Sequence, residues 1–266
     1  MLPKHPDERP EAVPANQSDL LQRSVRAFGL LRTRAPRVQC LTNTVAQQIT
    51  ANTLLALGAR VSMASHPAEV VAMSETADAL LINLGTPDAA RLDAVAALSR
   101  SQRVQSKPVL LDPVFVEHSA LRTDAARTVL GWKKVVVKAN ATEASYLFPR
   151  HAPFPEGVAA MIVTGAVDQI HVGSVTDHPH VAISNGDPLM TKVTGLGCAL
   201  GAVMAAVWAV EDDPIIAAMA SLLTLEIAAE LAARKSSGPG TFAATLLDTL
   251  TTIEADIILR HAKIHV

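Results

Sequence analysis

An α/β fold, with a doubly wound and mostly parallel sheet covered by helices on both faces, is what this sequence predicts. Three observations carry the expectation. Short apolar runs alternate with helix-length stretches through the first two thirds of the chain, the order that builds strand–helix–strand units. Apolar residues make up 49% of the 266 residues but aromatic ones only 3%. The core must therefore be filled by Ala, Leu, Val and Ile, which suits a parallel sheet buried on both sides. Polar residues follow the apolar runs at their carboxyl ends, at Asn43, Asn83, Asp112, Asn140 and Thr164. That edge is where open α/β sheets hold ligands.

Taken in order, residues 1–17 are polar and proline-rich and are expected to form a disordered tail, with 18–266 a single domain. Ser18 can cap a helix running to about Arg34. A strand at 38–41 leads to a helix at 45–57, stopped by Gly58. A weak strand at 61–63 and a helix at 67–76 follow. ALLIN (79–83) reads as a buried strand, Gly85-Thr86-Pro87 as a turn, and 88–105 as one helix. The strand at 109–111 ends in Asp112-Pro113, and 120–130 is helical. VVVK (135–138) is a strand, after which Asn140-Ala141-Thr142-Glu143 opens a short helix. Another strand spans 160–164. The period-two spacing from 169 to 184 predicts short antiparallel strands at the sheet edge. From Cys198 onward the pattern is helical, with three helices and a break near 236–240.

Composition excludes several classes of function. Twenty-three basic residues against 25 acidic ones leave a net charge of −2, which offers nothing to nucleic acid or an anionic membrane. Cys40 and Cys198 form neither a metal spacing nor a disulfide framework, as expected in a reducing, cytoplasmic compartment. The nine histidines show no tight ligand spacing, so no zinc site is expected. The start of the chain lacks the apolar stretch of a signal peptide. The apolar run at 196–210 is too short to span a bilayer, and later apolar stretches carry Glu226 and Glu230.

The chemistry concentrates in DPLMTKVTGLGCALGAVMAAV (187–207). Gly195 and Gly197 stand just before a long apolar helix. Glycines there let backbone N–H groups approach a ligand, and the helix dipole adds partial positive charge. This is an anion site, most often for phosphate, and Lys192 is a further cation nearby. The alternative is a glycine turn that only starts a buried helix. Asp112 and Glu143 form the acidic pair expected to hold Mg²⁺ directly or through water, with phosphates completing the shell. Asn43 and Asn140 also suit helix caps, and Glu143 a capping box.

CLTNTVAQQITANTLLALGA (40–59), ALLINLGT (79–86), LLDPV (110–114), NATE (140–143), VTG (163–165), GDPLMTKVTGLGCAL (186–200) and SSGPGTF (236–242) together resemble the hydroxyethylthiazole kinases of thiamine salvage, within the ribokinase-like superfamily. The resemblance implies transfer of the γ-phosphoryl of ATP to the primary alcohol of 4-methyl-5-(2-hydroxyethyl)thiazole, with Mg²⁺. It further implies a homotrimer, with the thiazole site near a subunit boundary. By position it implies that Met63, Asn43 and Gly195 contact the thiazole. Lys138, Thr164 and Asn140 would contact ATP. Cys198 would be the base, with Gly195 and Gly197 in the anion turn. A helix N-terminus is expected to lower the Cys198 pKa; the plainer alternative is a small residue packing the first turn.

Three departures from the family pattern stand out. Leu196 replaces a threonine in the G-T-G-C turn, a lost polar contact worth on the order of 1.5–3 kcal/mol, or roughly 10- to 150-fold. Lys138-Ala139 replaces Arg-Gly, keeping the charge but not the bidentate fork. The connection from Glu143 to Thr164 is short, and three prolines within 148–155 prevent a regular helix. These departures keep open a kinase-derived binding protein with little phosphoryl transfer, or a kinase for another small alcohol.

Overall fold

The computed structural model describes residues 17–176 and 178–266; the expected tail at 1–16 lies outside the described residues. The chain opens with α1 (Gln17–Arg34), β1 (Arg37–Leu41), α2 (Gln47–Ala56), β2 (Arg60–Ser62), α3 (Pro67–Thr76) and β3 (Ala79–Asn83). It continues through α4 (Ala89–Leu98), α5 (Gln102–Gln105), β4 (Val109–Asp112), α6 (Ala120–Leu130), β5 (Val135–Asn140), α7 (Ala141–Leu147) and β6 (Val158–Thr164). The last part comprises β7 (Asp168–His171), β8 (Val181–Ile183), α8 (Leu196–Trp208), α9 (Pro214–Ala233), α10 (Pro239–Thr252), α11 (Ala255–His261) and β9 (Ile264–His265).

These strands form one sheet in the order β2-β1-β3-β4-β5-β6-β7-β8-β9. β1 to β6 are parallel and β7 to β9 are added antiparallel. Every residue of β3 and β4 is buried, because helices cover both faces and leave no solvent side to alternate with. Leu81, Leu110 and Val136 point into a core shared with α1, α8, α9 and α10. Leu80, Ile82, Leu111 and Val137 point into the opposite core, with α4 and α6.

α8 sits directly on the sheet. A Cβ at Gly201 would stand 2.7 Å from Leu110 Cδ2 and 3.2 Å from Leu81 Cδ1, so only glycine allows this approach. The helix is thereby seated with its N-terminus above the carboxyl ends of the central strands. By length and composition α9 could cross a membrane, but 89% of its most apolar stretch is buried against the rest of the fold. It is a core helix.

The structure corrects three of the expected elements. Residues 88–105 form two helices, because Ser99 ends α4 and Ser101 caps α5, its hydroxyl accepting from Val104 N–H. Four helices, not three, follow Gly195, since Ile253 is extended and separates α10 from α11. β9 was not foreseen; two residues are too few to leave a periodic signal, and its pairing with Ala182 and Ile183 is a long-range event. The expected absence of a helix between α7 and β6 is observed.

Candidate active site

The neighbouring ends of β1, β3, β4 and β5 bring Asn43, Asn83, Asp112 and Lys138 into one buried row. Asn83 and Asp112 are direct cross-strand partners. Asn43 Nδ2 donates to Asn83 Oδ1 at 3.0 Å, and Asn83 Nδ2 donates to Asp112 Oδ2 at 2.7 Å. Lys138 Nζ closes the row on Asp112 Oδ1 at 3.2 Å. Cys198, in the first turn of α8, hangs over this row. Its Sγ accepts from Asn43 Nδ2 at 3.3 Å and Asn83 Nδ2 at 3.2 Å.

Electrostatics here follow from burial. Burial raises the Asp112 pKa and opposes the Lys138 ammonium, yet the Asp112 charge, with Cys198 and Glu143 behind it, holds Lys138 protonated. Burial and the Asp112 carboxylate push the Cys198 thiol above its ordinary range. Lys138 and the two amides pull the other way without reversing the shift. The expected lowering of Cys198 by the helix N-terminus is therefore corrected: desolvation outweighs the dipole.

Gly195 caps α8 with φ +90° and no side-chain cap. A Cβ there would lie 2.8 Å from Ile49 Cγ2 and 3.0 Å from Ala46 Cα, so α2 crowds the turn as well. The first intrahelical bond runs from Ala199 N–H to Gly195 C=O. The amides of Leu196, Gly197 and Cys198 precede it and have no helical partner. Gly197 is exposed, and a Cβ on it would meet only Lys138 Nζ, at 3.9 Å. The Leu196 side chain packs on the core and is 3% exposed, with one edge on the cavity beside the turn.

Beside this turn opens a cavity of about 650 Å³ whose lining includes Lys138, Thr164, Gly165, Asp168, Gly197 and Glu226. Thr164 Oγ1 donates to Ala139 C=O at 3.3 Å, and Gly165 N–H donates to Asp168 Oδ1 at 2.8 Å. The structure thus gathers Lys138, Thr164 and Gly197 on one cavity. It places Asn43, Cys198 and Asp112 at the mouth of the same helix turn.

Other expected residues stand apart or are committed elsewhere. Asn140 Oδ1 accepts from Thr142 and Glu143 N–H at 2.9 and 3.0 Å, and Glu143 Oε2 accepts from Asn140 N–H at 2.9 Å, a complete capping box. Glu143 Oε1 accepts from Phe115 N–H at 2.7 Å, anchoring a turn where Val114 and Phe115 both have positive φ. Lys192 is exposed and outside the cavity lining. Met63 follows β2 and is half-buried against the core, also outside that lining. Asn83 was visible only as one of the strand-end polar residues, and Glu226 only as a charge within an apolar helix.

Among the described residues no cluster of three or more His, Cys, Asp or Glu is poised to hold a metal. Asp112 and Glu143 feel each other's charge, but their oxygens already accept from Lys138, Asn83 and two backbone amides. Such a donor set fits an ion held chiefly by phosphate and reached through water.

Comparison with known proteins places this geometry in a lineage. The hydroxyethylthiazole kinase family model matches residues 29–158 and 155–256. A probable hydroxyethylthiazole kinase of Agrobacterium fabrum is 38% identical, over 91% of this chain and 94% of its own. A hydroxyethylthiazole kinase of Kineococcus radiotolerans is 39% identical, over 87% and 90%. The structure of the hydroxyethylthiazole kinase protein from Pyrococcus horikoshii OT3 superposes with a TM-score of 0.82 at 33% identity, covering 92% of this chain and 98% of that one. A ribokinase-like superfamily protein from Enterococcus faecalis V583 shares the fold at a TM-score of 0.58 and 15% identity, over 94% of this chain and all of that one. The chain belongs to the hydroxyethylthiazole kinase family.

Proposed function

We propose that this enzyme transfers the γ-phosphoryl group of ATP to the primary alcohol of 4-methyl-5-(2-hydroxyethyl)thiazole, a step of thiamine salvage. The observation that carries the reading is the convergence at the start of α8. Three unpartnered amides, the protonated Lys138 and the Cys198 sulfur meet there, beside a cavity wide enough for a nucleotide. Phosphoryl transfer passes through a loose transition state, so catalysis is mostly positioning and charge neutralisation. The Leu196–Cys198 amides and Lys138 face the migrating phosphoryl oxygens. ATP takes the cavity lined by Thr164 and Gly165. The thiazole alcohol takes the side of Cys198, Asn43, Gly195 and Met63, near a subunit boundary in a homotrimer of this cytoplasmic protein.

As the alcohol oxygen bonds to phosphorus, the bridging P–O bond breaks and its electron pair leaves with ADP. The alcohol proton passes to Cys198 Sγ. Only the thiolate form of Cys198 can take that proton; because burial and Asp112 hold the thiol above its ordinary range, this form is a minority near neutrality and turnover follows its fraction. Asp112 and Glu143 would hold Mg²⁺ through water, and the bound ion neutralises ATP phosphate charge. Asn140 and Glu143 keep the floor of the site rigid through the capping box.

Calorimetric titration with the thiazole alcohol and with ATP and Mg²⁺, followed by a coupled ADP-release assay, tests the reading. Binding of both with ADP release is expected. Thiazole binding without nucleotide binding or release would turn the chain into a binding protein and refute the proposal.

A further inference from the structure

Glu226 lies on α9 among Ala, Leu and Ile and is 3% exposed. One turn along, Glu230 has evident structural partners: Lys263 at 2.9 Å, Asn185 at 3.0 Å and the Gly186 amide. Glu226 Oε2 is enclosed and receives no hydrogen bond from the described residues, although Glu226 lines the cavity. Its carboxyl is within hydrogen-bonding reach of Asp168, whose Oδ1 holds the Gly165 amide of the Thr164 turn.

We propose that Glu226, paired with Asp168, is a specificity-determining residue that accepts a hydrogen bond from the nucleoside half of the phosphoryl donor, from a base amine or a ribose hydroxyl. The proposal rests on reading the cavity as the nucleotide site. A carboxyl group enclosed beside a carboxylate keeps its proton and can donate it across the pair. Burial, then Asp168 and Glu230, hold Glu226 protonated well above the ordinary carboxyl range. The enclosed Oε2 takes the Asp168 side of the pair, which leaves Oε1 as the uncharged acceptor on the cavity side. It suits an N–H or O–H donor, while the remaining negative charge of the pair repels phosphate. Lys138 on β5 and Asp168 on β7 are two strand spacings apart, about 10 Å. The phosphates belong at the Lys138 and Gly197 end, which leaves the acid pair to the nucleoside.

The test uses the full chain at saturating thiazole alcohol. Donors are ATP, its analogue with hydrogen in place of the base amine, and the 2′-deoxy and 3′-deoxy forms. Donor KM and kcat are measured for the wild type, Glu226→Gln and Glu226→Met, with calorimetric binding of ATP alongside. The wild type should disfavour one analogue by about tenfold in KM. Glu226→Met should raise the KM for ATP by about the same factor, hold kcat and abolish the discrimination. Glu226→Gln should keep it, because its amide donates to Asp168 and leaves the carbonyl oxygen facing the cavity. A wild type that treats all four donors alike within about threefold would overturn the proposal, and needs no variant to fold. So would a Glu226→Met enzyme with the wild-type ratio. Absence of any ATP binding or turnover in the wild type is a separate outcome, which removes the nucleotide reading and this proposal with it.

Discussion

Gly195 and Gly197 are two residues apart, yet the structure assigns them different work, and a pair of alanine variants separates fold from chemistry. At Gly195 the backbone has φ +90°, and an added Cβ would stand 2.8 Å from Ile49 Cγ2 and 3.0 Å from Ala46 Cα. Left-handed backbone costs a non-glycine residue about 1–2 kcal/mol, and the contact with α2 adds to it. Gly195→Ala should therefore lose about 2–3 kcal/mol, seen as a Tm lower by roughly 4–12 °C. At Gly197 an added Cβ meets only Lys138 Nζ at 3.9 Å, an ordinary contact. The position is helical, where alanine is favoured over glycine by up to about 1 kcal/mol. Gly197→Ala should melt at or slightly above the wild-type temperature. Its methyl group, however, occupies the cavity beside the three free amides. Alanine keeps its own N–H, but the methyl holds a phosphate away from these donors; an effect the size of losing one donor, about 10²–10³ in kcat, gives an expected drop of about 100-fold. Thermal melts and the ADP-release assay on both variants decide the matter. Gly197→Ala turning over within about threefold of wild type would refute the phosphate site at the start of α8.

Other perturbations probe the same site. Leu196→Thr should raise kcat by restoring a hydroxyl beside the phosphoryl group, while lowering Tm because a 3% exposed leucine leaves the core; unchanged or lower kcat would count against a rate penalty at this position. Lys138→Met strands Asp112 as an unpaired buried charge, costing about 3–5 kcal/mol and lowering Tm by roughly 6–20 °C. Adding Asp112→Asn should recover most of that stability but not activity, and a single variant that melts like wild type would dismiss the ion pair. Because the Cys198 thiol is held above its ordinary range, its thiolate fraction keeps growing with pH through and beyond neutrality. The wild-type kcat should accordingly climb between about pH 7 and 9, and Cys198→Ser should lose that slope; identical profiles would leave Cys198 a packing residue.

The sequence by itself determined the fold class, the central strands and the edge at which chemistry is placed. Burial on both faces leaves a local imprint, continuous apolar runs such as ALLIN, and strand ends must carry whatever polar groups the ligand needs. The family-like stretches likewise located the glycine turn and the row from Asn43 to Lys138. Tertiary structure decided how each polar group is used. Glu143 and Asn140 each had two local readings, and the capping box with the Phe115 contact shows how their oxygens are engaged. Lys192 is only six residues from Cys198 in the chain but lies outside the cavity, whereas Lys138, 60 residues away, faces the α8 turn. The direction of the Cys198 shift depended on desolvation and on Asp112, 86 positions earlier. The pairing of Asp168 with Glu226 depended on α9 packing near the antiparallel edge. Periodicity reports which face of an element is buried. Hydrogen-bond partners, desolvation and charge coupling arise between segments that are distant in sequence, so only the folded chain could specify them.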